Sequence, residues 1–69
     1  MTEAIHDPTL PDLPRGYQIV RHTEGVFAGR LEMRPSASRV WTLVRDTPHD
    51  RLIMVLCAWD AYADLRNAK

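Results

Sequence analysis

Sixty-nine residues, a formal net charge of zero and a single cysteine allow one small domain and exclude an intramolecular disulfide framework. The longest apolar run is the eight residues Leu52–Trp59, which excludes a helical membrane span of about 20 residues. A structural zinc site is also unsupported, because His6, His22 and His49 are scattered and lack thiolate companions.

A domain of this size buries only about 60% of the surface its unfolded chain exposes, so association with another chain is the expected source of extra stability. The zero net charge conceals a split. Residues 1–14 carry Glu3, Asp7 and Asp12 with no basic residue, while residues 15–51 carry seven arginines against Glu24, Glu32, Asp46 and Asp50. A lone thiol, Cys57, and an N-terminus with neither a basic start nor an apolar stretch give a cytoplasmic protein as the expectation.

In chain order, residues 1–14 read as a Pro-rich acidic tail, disordered or extended. Pro8, Pro11 and Pro14 forbid a regular helix or a central strand, although Leu10 and Leu13 can pin part of it to the body. Residues 15–69 read as a single small α+β domain. Tyr17–His22 is the first expected strand, rich in β-favouring side chains. Thr23-Glu24-Gly25 is a turn. Val26–Arg34 is the second expected strand on its period-two pattern. Pro35-Ser36-Ala37-Ser38 is a loop, and Arg39–Arg45 is the third strand.

Thr47-Pro48-His49-Asp50 is a helix start. Thr47 caps, Pro48 occupies the first helical position where its missing N–H is harmless, and Asp50 complements the helix dipole. One helix is predicted from Pro48 to about Asn67. The competing reading makes Arg51–Cys57 a fourth strand. The predicted fold is therefore a three-stranded antiparallel β-meander followed by one long C-terminal α-helix packed on one face, in the order β-β-β-α. This order resembles the layout of integrase-type DNA-binding domains, which read the major groove with their sheet. The resemblance is one of topology.

The predicted helix carries two apolar stripes. Leu52, Val55, Leu56, Trp59, Tyr62 and Ala63 are expected to cover the sheet. Met54, Ala58, Ala61 and Leu65 are then left over, with small residues that admit a neighbouring helix, and are candidates for self-association as a homodimer. The strands offer a second candidate surface, built from Arg30, Arg39, Trp41 and Arg45. The parity of the third strand is open. Either Trp41 and Leu43 face the helix, or Arg39, Trp41 and Arg45 point outward beside Arg30 and Arg34. Arginine and tryptophan suit an acidic protein partner or nucleic-acid phosphates and bases.

No catalytic residues, cofactor motif or metal ligands are assigned. Gly16, Gly25 and Gly29 do not form a phosphate loop, and Cys57 in an apolar run reads as a buried small hydrophobe. His49 reads as solvated, and His22 with Glu24, or Asp60 with Asp64, make weak constellations. The expected function is a small non-enzymatic protein-binding module of accessory, adaptor or inhibitor type, which occupies a surface of another protein. The alternatives are a nucleic-acid-binding module using the strand arginines, or a structural subunit of a larger assembly.

Overall fold

A computed structural model of the chain describes residues 1–37 and 43–67. Four strands, β1 (Thr2–Ala4), β2 (Gln18–His22), β3 (Arg30–Arg34) and β4 (Leu43–Arg45), precede one helix, α1 (Pro48–Asn67). The strands form one antiparallel sheet in the order β1-β2-β3-β4, with α1 on one face. The α+β class, the meander and the single long C-terminal helix match the sequence reading. The strand count does not, because three were expected and four are present among the described residues.

The extra strand comes from the segment read as a tail. Its prolines begin only at Pro8, so Thr2–Ala4 is free to donate and accept hydrogen bonds along the edge of β2. Thr2 pairs with His22, Glu3 with Arg21 and Ala4 with Val20, and the pairing sets opposite charges side by side. The rest of the segment packs onto the body. Ile5, Leu10 and Leu13 lie against the core, and Pro14 is buried.

A second difference lies between β2 and β3. The period-two pattern suggested a strand from Val26, but the strand begins at Arg30. Backbone bonds from Ala28 N to Gly25 O, from Arg30 N to Phe27 O and from Gly29 N to His22 O fold residues 25–29 into a compact loop. Gly25 and Gly29 have φ of 81° and 83°, a region that glycine enters freely and other residues enter at a cost. Val26 and Phe27 are consequently exposed at the loop tip.

The helix bounds agree with the reading, and the competing strand over Arg51–Cys57 is overturned, since these residues lie inside α1. The cap is Thr47, whose Oγ1 accepts from Asp50 N at 3.2 Å, while its carbonyl accepts from Arg51 N at 3.0 Å. Twenty residues make a rod about 30 Å long, whereas a five-residue strand spans only about 17 Å. The helix therefore runs beyond its sheet, and Ala63–Asn67 are all exposed.

The core is Ile19, Leu31, Met33 and Val44 from the sheet, closed by Met54, Val55 and Ala58 from α1. This rotates the helix from the expected orientation: Val55 of the expected sheet-facing stripe is in the core, but it is joined there by Met54 and Ala58. Met54 and Ala58 have no exposed surface, while Leu52, Leu56 and Trp59 are 40%, 49% and 43% exposed. The physical reason lies in side-chain size and polarity. A sheet with strands this short accepts a narrow ridge, which small Ala58 and pliant Met54 fill closely. A buried indole would also need a partner for its N–H, and Trp59 finds one on the flank, donating from Nε1 to Asp12 O at 2.8 Å.

Candidate interaction surface

Alternation along the strands divides the sheet. Ile19, Leu31, Met33 and Val44 point at α1, so Val20, His22, Arg30, Glu32, Arg34, Leu43 and Arg45 lie on the opposite face, where Val20 is buried and the three arginines are exposed. Val44 is buried and Arg45 exposed, which answers the parity question at the described end of the third strand in favour of an outward Arg45. Arg39 and Trp41 lie outside the described residues.

The register sets Arg30 directly opposite Arg45. Side chains so placed have Cβ atoms about 5 Å apart, and like charges there are destabilising. Both arginines are exposed, and among the described residues no carboxylate pairs with either. The one acid on this face, Glu32, is engaged elsewhere. Its Oε2 accepts from Arg34 Nε at 3.0 Å and lies 3.4 Å from His22 Nε2. That nitrogen is buried and makes no hydrogen bond, while the His22 ring meets Phe27 edge-on at 6.1 Å.

The other described arginines of the strands and helix are engaged. At the start of α1, Asp46 receives Arg21 Nη2 at 2.6 Å and Arg51 Nε at 2.6 Å through its two oxygens. Arg51 also donates from Nη1 to Asp7 Oδ2 at 2.8 Å, and Arg21 approaches Glu3 at 3.8 Å. The hydrogen bond from Arg51, aided by that from Arg21, holds the Asp46 carboxyl below the usual carboxylate range against partial desolvation. Hydrogen bonds from the Thr9 hydroxyl and amide, then from Arg51, lower Asp7 likewise. Arg66 lies over the Tyr62 ring, 5.8 Å from its centre. Charge is thus balanced at the helix start and left unbalanced at Arg30 and Arg45.

The self-association residues require correction. Met54 and Ala58 are sealed beneath the sheet and cannot form an outer seam. Ala61 is half-buried and Leu65 exposed, and both line an open groove of about 460 Å³ with Tyr17, Cys57, Asp60 and Asp64. Burial, then the Asp60 charge, pushes the Cys57 thiol up, which keeps it in the protonated, weakly nucleophilic form. The exposed apolar row on the helix is instead Leu52, Leu56, Trp59 and Ala63, spaced 4, 3 and 4. That spacing was legible in the sequence, but its orientation was not.

No helix is long and apolar enough to cross a membrane, and no group of three metal-ligating side chains occurs among the described residues. No protein family, characterised protein or solved structure matches the chain.

Proposed function

We propose that this chain is a small protein-binding module, of accessory, adaptor or inhibitor type, whose arginine-bearing sheet face docks an acidic surface of another protein. The observation that carries this reading is the Arg30–Arg45 pair, two exposed arginines directly opposite each other in the register with no acid paired to either among the described residues. Their forks match the planar geometry of carboxylates. Leu43 and Phe27 supply apolar surface on the same side, and an apolar centre with arginine contacts is the usual composition of a protein–protein site.

The same pair supports a nucleic-acid reading less well. Two arginines neutralise about two phosphates, which gives a logarithmic salt slope of only about −2, and Glu32 places a negative charge in the middle of the face.

The test compares the wild-type chain with an Arg30→Glu/Arg45→Glu variant in affinity capture from the native cell. A captured protein is then purified and titrated against both forms. The expected result is a partner with an acidic docking surface whose affinity falls at least about 30-fold in the variant, the equivalent of about 2 kcal/mol, with the circular dichroism spectrum unchanged. Equal affinity of both forms would sink the proposal. Salt-sensitive retention of the wild type on immobilised DNA or RNA, lost in the variant, would transfer the site to nucleic acid.

A further inference from the structure

His22 sits where the arginine-bearing face of the sheet meets the loop of residues 25–29. Its Nε2 is buried and makes no hydrogen bond, yet it lies 3.4 Å from the Glu32 Oε2 that Arg34 also holds. The His22 and Glu32 side chains are only 17% and 22% exposed. We propose that His22 is a proton switch on this face. Once protonated it closes a charged contact with Glu32, cancelling the acid beside the arginines, so that an acidic surface docks more tightly as the pH falls. The docking step rests on the reading of Arg30 and Arg45 above; the proton step does not.

Uncharged, the ring gains nothing at Nε2. A lone pair there faces an anionic oxygen, and an N–H there makes no hydrogen bond in this geometry. A proton turns the same contact into a pair of opposite charges. The shelter of both side chains strengthens such a pair over one in bulk water. Imidazole is also the side chain whose charge ordinarily changes between about pH 5 and about pH 8.

The described residues around the ring set the charge balance. On β3, Glu32 is in contact and Arg34 lies beyond it. Arg21 pairs with Leu31 and Leu31 with Val44, so His22, Arg30 and Arg45 are the next residues toward the same end of their strands. On β1 the partner of His22 is the uncharged Thr2, and the Met1 amine is taken by Glu24 at 3.7 Å. The loop contributes Phe27, edge-on to the ring at 6.1 Å. Glu3, Arg21 and Asp46 are engaged with one another beside the start of α1. A charged His22 is therefore a fourth cation among three arginines, held by Glu32 and repelled by the rest. Carboxylates of a partner relieve that repulsion. Proton uptake and docking then favour each other, and linkage makes the coupling reciprocal.

Two measurements on the full chain separate the steps. NMR titration of the free protein from about pH 8 to about pH 5 follows the His22 ring nitrogens and the Glu32 side-chain carboxyl. The expected result is a Glu32 signal that moves as His22 charges, a step absent from His22→Gln. A ring still uncharged at about pH 5, or a Glu32 signal indifferent to it, overturns the proposal whether or not docking occurs. Binding of a deca-aspartate peptide, whose carboxylates stay ionised above about pH 5, is measured over the same range. Wild-type affinity should rise at least about fivefold between about pH 8 and about pH 5.5. His22→Gln should remove the rise, and His6→Gln/His49→Gln should keep it. A wild-type affinity that does not change with pH, or a rise that survives His22→Gln, overturns the proposal. Binding that is absent at every pH, or unaffected by Arg30→Glu/Arg45→Glu, strikes the docking reading instead and leaves the proton step to the NMR result.

Discussion

At the scale of single residues, the helix orientation makes a sharp contrast between neighbours. Met54 is fully buried and Leu52 is 40% exposed. Met54→Ala should destabilise the fold by about 2–5 kcal/mol through a lost contact and a cavity. Leu52→Ala should cost less than about 1 kcal/mol. Urea midpoints for the two variants check this, and equal losses would mean that the helix is rotated from the position described. The Arg30–Arg45 pair predicts an opposite pattern. Arg30→Gln removes a like-charge repulsion and should leave the fold unchanged or more stable by about 0.2–1 kcal/mol, while weakening the proposed docking interaction. Stability and binding are then separable at one position by thermal unfolding and titration. Asp46 adds a pH dependence of definite sign. Its folded pKa is depressed by Arg51 and Arg21, so its contribution is complete above the unfolded value of about 3.9 and is lost as the pH falls through the lower folded value. Thermal unfolding followed from neutral to strongly acid pH should show an acid limb that is shallower in Asp46→Asn.

Individual elements show why some features could be read from the sequence and others not. The helix was legible because its start signals are local: Thr47, Pro48 and Asp50 act within one turn. Its orientation was not, because Leu52, Leu56 and Trp59 are as apolar as Met54, Val55 and Ala58, and the choice depends on the width of the sheet and on a carbonyl at Asp12. β1 was hidden by the prolines that follow it. The false start of β3 at Val26 came from an alternating pattern that continues through Gly29, where the positive φ interrupts the strand. Gly29 therefore makes a clean element-scale test. A Cβ there would meet open space, so Gly29→Ala should lose about 1–2 kcal/mol from backbone conformation alone. Chemical denaturation of Gly29→Ala beside Gly29→Asn reads that cost, with the asparagine variant expected to be the milder. At the candidate site, the sequence located Arg30 and Arg45, but only the register makes them neighbours. The helix-start network of Asp7, Arg21, Asp46 and Arg51 joins residues 44 positions apart at its widest and has no sequence signature.

For the whole molecule, the two faces of the sheet differ in charge. One is closed by α1 and the N-terminal segment, and its ionic groups are mutually satisfied. The other carries Arg30 and Arg45, which pair with no carboxylate among the described residues. This asymmetry explains how a chain of zero net charge can present a local cationic site. The charges that would cancel it at long range, Asp7 and Asp46, are consumed in ion pairs at the helix start. The proposed partner would meet Arg30 and Arg45 before it meets the average of the chain.

The helix that outruns its sheet has a consequence for motion. Up to Ala61 and Tyr62, α1 is pressed against strands or loops. After that its turns rest on their own hydrogen bonds and on the Arg66–Tyr62 contact. Backbone amides around the buried Met54, Val55 and Ala58 should exchange with solvent deuterium only when the domain unfolds globally. Those of Leu65–Asn67 should exchange through local fraying, at rates near those of an isolated peptide helix. Amide-resolved hydrogen exchange would then show a step along one continuous helix, so that the element longest in sequence is divided into two units of very different lifetime.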